Sequence, residues 1–112
     1  MKALVERLEK AIEFLKDRLP YKVGYVYLGI DEQLFLNVTT TSQSSNLENI
    51  TRGSAINEIN DVKRIFLEMI SESKEFRSFI EGMKIKFNLD FDYGMGDIRI
   101  CSEVNGIITW YY

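Results

Sequence analysis

The feature that most narrows the possible folds is a dipeptide. Asn105-Gly106 separates "IRICSEV" (residues 98–104) from "IITWYY" (residues 107–112), two runs rich in β-branched and aromatic residues. Asn-Gly between such runs is the strongest short-range signal for a hairpin closed by a two-residue type I′ turn. A two-residue loop also fixes register: Val104 faces Ile107, Glu103 faces Ile108, Ser102 faces Thr109, Cys101 faces Trp110 and Arg99 faces Tyr112. This register sorts side chains into two sets. Ile98, Ile100, Val104, Ile107 and Tyr111 are expected on a helix-covered face, and Arg99, Cys101, Glu103, Ile108, Trp110 and Tyr112 on an open face. An open face that mixes aromatic rings with opposite charges has the composition of an interface centre.

The preceding segments supply the rest of the sheet and its cover. Leu4, Val5, Leu8, Ala11, Ile12, Leu15 and Leu19 recur at spacings of three and four, predicting an amphipathic helix over residues 2–18 that Pro20 ends. "YKVGYVYLGI" (21–30) and "QLFLNVTT" (33–40) read as two antiparallel strands. Residues 41–54, "TSQSSNLENITRGS", are small and polar and are expected to form an exposed, mobile loop. A second helix should begin near Ser54 or Asn57, with Ser54 as its cap. It carries the stripe Ile59, Val62, Phe66, Met69, Ile70, Phe76 and Ile80 as far as Gly82, and the serines at 71 and 73 can kink or split it. Ile85, Phe87, Leu89, Phe91 and Tyr93 alternate with Lys84, Lys86, Asn88, Asp90 and Asp92, the pattern of a strand with one dry and one wet face. The expected fold is α+β in the order α-β-β-α-β-β-β: a single domain over 1–112 with a five-stranded, mainly antiparallel sheet and two helices packed on one face.

The chemistry is defined largely by what the chain lacks. It has no histidine, so the commonest general acid/base and the commonest zinc ligand are both missing. Cys101 is the single cysteine, with neither a Cys-x-x-Cys neighbour nor a histidine to activate it, and reads as a packed thiol. One cysteine also allows no intrachain disulfide, and the charges at Glu6, Arg7, Glu9 and Lys10 interrupt any signal-peptide core, so a cytoplasmic protein is expected. The glycosylation-like triplets at Asn37 and Asn49 are then incidental. Asp90, Asp92, Asp97 and Glu103 could gather around a cation, but "DFDYGMGDIRIC" fails as a calcium loop, with its glycine one place early and Cys101 in place of the bidentate Glu. "TRGSA" (51–55) could hold an anion at a helix N-terminus, although an ordinary cap explains it as well. A net charge of -3 argues against nucleic acid as a ligand and suits a basic protein partner. No apolar run reaches the length of a membrane span.

An opening helix, a Tyr-rich strand pair ("KVGYVYLGI", "QLFLNVTT"), a long helix and the strand "KIKFNLDFDYG" together resemble the small cytoplasmic immunity proteins of bacterial toxin systems, in particular the YezG type. The likeness is one of layout, with the F-x-x-D-F-D-Y flavour of residues 87–93. It implies a non-enzymatic inhibitor, without cofactor or metal, that binds a cognate toxin domain tightly and blocks its working surface. A basic nuclease domain would suit the chain's charge. On the residues alone, the expected anchors are Tyr25, Tyr27, Trp110 and Tyr112, with Asp90, Asp92 and Glu103 as acidic contacts and Arg99 beside them. Two other readings are a homodimeric structural or adaptor domain that uses the same open face, and a small carboxylate metal-dependent enzyme.

Overall fold

A computed structural model of the chain describes residues 6–7, 9–11, 13–14, 26–30, 35–42, 47–92, 94 and 96–111, with residues 26–30 described by their strand backbone. Helical residues at 6–7, 9–11 and 13–14 (α1) precede β1 (Val26–Ile30) and β2 (Phe35–Ser42). A short 3-10 turn (Leu47–Asn49) leads to α2 (Arg52–Glu72) and α3 (Lys74–Ile80). β3 (Lys84–Asp92), β4 (Asp97–Val104) and β5 (Ile107–Trp110) complete the order. The architecture is α+β, and the five strands form one mixed sheet in sequential order, β1-β2-β3-β4-β5.

One pairing departs from the antiparallel expectation. β2 and β3 run parallel, in register from Phe35 opposite Lys84 to Ser42 opposite Phe91, whereas β1/β2, β3/β4 and β4/β5 are antiparallel. The helical connection between β2 and β3 explains this. A parallel neighbour needs a crossover of a dozen or more residues, and α2 with α3 carries the chain back to the end of the sheet where β2 began. Alternation within a strand reports its faces and is silent on its direction.

The polar stretch 41–54 is tied down at several points. Thr41 and Ser42 extend β2, and Ile50 is buried in the core. Thr51, three residues before the expected cap Ser54, is the N-cap of α2. Its Oγ1 accepts the Ser54 N–H at 3.1 Å, while Ser54 Oγ accepts the Thr51 N–H at 3.0 Å. Serine thus takes the place usually held by Glu in a capping box. Residues 43–46 lie outside the described residues.

The helical stripe splits at Ser73, which closes α2 and caps α3, its Oγ accepting the Phe76 N–H at 3.1 Å. Arg77 Nη1 reaches back across the break to the carbonyls of Ile70 (2.7 Å) and Ser71 (2.8 Å), satisfying acceptors that the end of α2 leaves free. Beyond α3, Gly82 has φ +80, a conformation that a side chain would oppose.

Both helices pack on one side of the sheet. Ala55, Ile59, Val62 and Phe66 recur every three or four residues on the buried side of α2. They meet Leu36 and Val38 of β2, Phe87, Leu89 and Phe91 of β3, and Ile100 and Cys101 of β4 in two adjoining clusters. A run of rings threads the first cluster. Phe14 of α1 stacks on Phe76 of α3 (5.7 Å between centroids), which meets Phe66 edge-on (5.6 Å), which in turn meets Phe87 edge-on (5.6 Å). Arg7 Nη1 also donates to the Glu81 carbonyl at 3.0 Å, joining α1 to the end of α3. Among the described residues no helix is long and apolar enough to cross a membrane.

Candidate functional site

The register expected across Asn105-Gly106 is the one observed, from Val104 opposite Ile107 to Cys101 opposite Trp110, and the turn has φ 52 and 83 at its two residues, as type I′ requires. The assignment of faces, however, is reversed for the residues nearest the turn, whereas Ile100 is buried in the core as expected. Cys101, Ile108 and Trp110 pack in the cluster beneath α2, and Glu103 is 3% exposed on that same side. Ile107 and Tyr111, expected in the core, are 71% and 56% exposed on the outer side. The hairpin rule fixes which residues share a face and leaves open which face is covered.

Glu103 is therefore a structural carboxylate. Its Oε1 accepts from Lys63 Nζ of α2 at 2.6 Å and from the Gly106 N–H at 2.6 Å, joining the hairpin turn to the helix. Trp110 lies under the guanidinium of Arg52, whose Cζ is 4.9 Å from the ring centroid. Neither residue faces outward as a contact. Tyr25 and Tyr112 lie outside the described residues, and Tyr27 is described by its strand pairing with Thr39.

The other expected site residues come together on the outer face, because of an irregularity that alternation could not reveal. Register shifts between Leu89 and Asp90, so Leu89 opposes Cys101 while Asp90 opposes Arg99, leaving Ile100 as the extra residue of a bulge. The bulge turns Arg99 away from the side that Cys101 occupies and toward Asp90, with Arg99 Nε 3.4 Å from Asp90 Oδ1. At the hairpin tip Asp92 stands directly opposite Asp97, and Asp92 Oδ1 accepts the Gly94 N–H at 3.1 Å. Burial holds the Asp90 carboxyl above its ordinary range, opposed by Arg99 and reinforced by the charge of Asp97. Asp90, Asp92, Asp97 and Arg99 thus occupy one end of the outer face.

The centre of that face is polar and closely packed. Ser102 Oγ donates to Asn88 Oδ1 at 2.6 Å, and Asn88 Nδ2 donates to Asn37 Oδ1 (3.2 Å) and Thr39 Oγ1 (3.4 Å), joining β4, β3 and β2. Asn88 is 1% exposed, so the strand side expected to be wet is sealed at its middle. The signal available in the sequence was the uncharged polar set Asn37, Thr39 and Thr41 at alternate positions of β2, which matches Asn88 and not a solvated charge pattern.

Other chemistry is sparse. The group of Asp90, Asp92, Asp97 and Glu103 does not converge, since Glu103 is on the opposite side of the sheet, and no cluster of metal-ligating residues occurs among the described residues. Cys101 is buried, and its thiol is pushed up to about 11 by burial, with the charges of Glu58 and Asp90 adding to the effect; such a thiol is a poor nucleophile at neutral pH. A cleft of about 450 Å³ opens beside α2, floored by Phe35, Leu67, Met83, Ile85 and Phe87. Its lysines are already engaged, Lys63 by Glu103 and Lys84 by the Phe35 ring at 5.5 Å. Glu58 of α2, which the sequence reading passed over, is half-buried, and its Oε2 has no hydrogen-bond partner. No protein family model, curated protein or solved structure matches the chain.

Proposed function

We propose that the protein is a non-enzymatic binding module that acts in the cytoplasm, an immunity protein that neutralises a cognate, basic toxin domain by covering its working surface. The observation that carries this reading is the acidic tip of the β3–β4 hairpin, where Asp92 and Asp97 are exposed and directly opposite one another. Like charges at opposed positions destabilise a free sheet. A lysine or arginine of a partner placed between them removes that repulsion on binding, so the strain in the free protein favours a cationic surface. The lack of histidine and the buried, unreactive Cys101 further support a role without catalysis.

The test is capture of the tagged protein from its native cells, with bound proteins identified by mass spectrometry and the mass of the complex taken by light scattering. The expected result is a stoichiometric basic protein. With that protein in hand, a double Asp92→Asn, Asp97→Asn variant should associate about tenfold more slowly at low salt, and the difference should shrink as salt is raised. Association that is unaffected by the double substitution at any ionic strength would overturn the assignment of this surface.

A further inference from the structure

We infer that the free edge of β5 pairs antiparallel with β5 of a second copy of the chain, about a two-fold axis through Thr109. β5 ends the sheet, and no described strand lies on its outer side. Natural edge strands are usually blunted by lysine, proline or a bulge. Here no charged residue and no proline occurs between Asn105 and Tyr111, and the β4–β5 register is regular. The Tyr111 N–H donates to the Ile100 carbonyl at 2.8 Å, so the odd-numbered residues 107, 109 and 111 turn their backbones toward β4. The N–H and C=O groups of Ile108 and Trp110 consequently point outward, with no partner among the described residues, and can extend the ladder.

The occupant follows from the pattern. When Ile108 of one copy pairs with Trp110 of the other, Thr109 meets Thr109 at the two-fold axis, and the outer-face residues Ile107 and Tyr111 meet across the junction, twice by symmetry. These two are among the few large apolar side chains that stand exposed, and the self-pairing covers both. No like charges are brought into opposition. Four main-chain hydrogen bonds and two Ile–Tyr pairs make a small contact, well below the roughly 1,000 Å² of a standard interface, and so a reversible dimer. This surface is separate from the Asp92–Asp97 tip and does not depend on the proposed partner.

Sedimentation velocity of the full chain tests it. The expected result is a monomer near about 1 µM and a dimer above about 100 µM. Thr109→Lys and Thr109→Glu, at an exposed position, should each keep the far-UV circular dichroism of the parent and remain monomeric at the higher concentration. An equimolar mixture of the two should dimerise, since opposite charges then face each other at the axis. A parent chain that stays monomeric at about 1 mM, a lysine variant that dimerises as the parent does, or a mixture that fails to rescue would each overturn the proposal.

Discussion

Trp110 stands on the helix side of β5, packed against the cluster that contains Ile59, Leu89 and Ile100, with Arg52 over its ring. Replacing it with alanine removes both a large buried area and a cation–π contact, and Trp110→Ala should lower stability by about 2–3 kcal/mol in urea unfolding. Loss of partner binding with stability intact would show instead that the ring is a contact and that its place beneath α2 is wrong. The sequence was nonetheless informative about this residue, because the Asn-Gly turn correctly set Trp110 opposite Cys101. It could not say which side was covered. Both sides of β5 carry large apolar residues, and the deciding feature was an unpromising one: the charged Glu103 is the buried member, kept there by Lys63 and the Gly106 N–H. Composition favours putting isoleucines inside and glutamate outside, and a pair of specific hydrogen bonds reversed that preference.

Among the elements, the split helix offers the sharpest test. Ser73 serves two helices, ending α2 and capping α3, and α3 carries Phe76, which links α1 to α2 through its stacked and edge-on contacts. Ser73→Ala should cost about 1 kcal/mol by removing the cap, measured as a lower urea midpoint with an unchanged slope. An unchanged midpoint would mean that Arg77 alone holds the junction. The stripe from Ile59 to Ile80 was legible because period-3.6 burial survives a one-residue break. Strand direction and the anchoring of residues 47–54 were not. The parallel β2–β3 pair depends on how far α2 and α3 carry the chain. Leu47 and Ile50 are isolated apolar residues in a polar run, and only their contacts reveal that they belong to the core.

At the scale of the whole molecule, the absence of histidine leaves shifted carboxylates to govern how stability varies with mild acid. Glu58 is one of two such carboxyls among the described residues. Burial raises its carboxyl above the ordinary 4.5, the charge of Asp61 adds to this, and a hydrogen bond with Ser42 only partly opposes it. A carboxyl whose folded value is raised holds its proton more tightly in the native state than in the unfolded one. Its contribution is therefore most favourable below 4.5 and falls as pH rises through the higher folded value, above which the cost of burying the charge is present. Asp90 acts in the same sense from its ordinary 3.8, although Arg99 opposes the effect. Glu58→Gln keeps the shape and removes the titration. The variant should have a higher urea midpoint than the parent at pH 7, and the difference should close as both proteins are taken to about pH 4, where the parent carboxyl is protonated when folded. A variant that is less stable than the parent at pH 7 would mean that the Glu58 charge has a favourable partner, and that this half-buried acid helps hold α2 to the sheet.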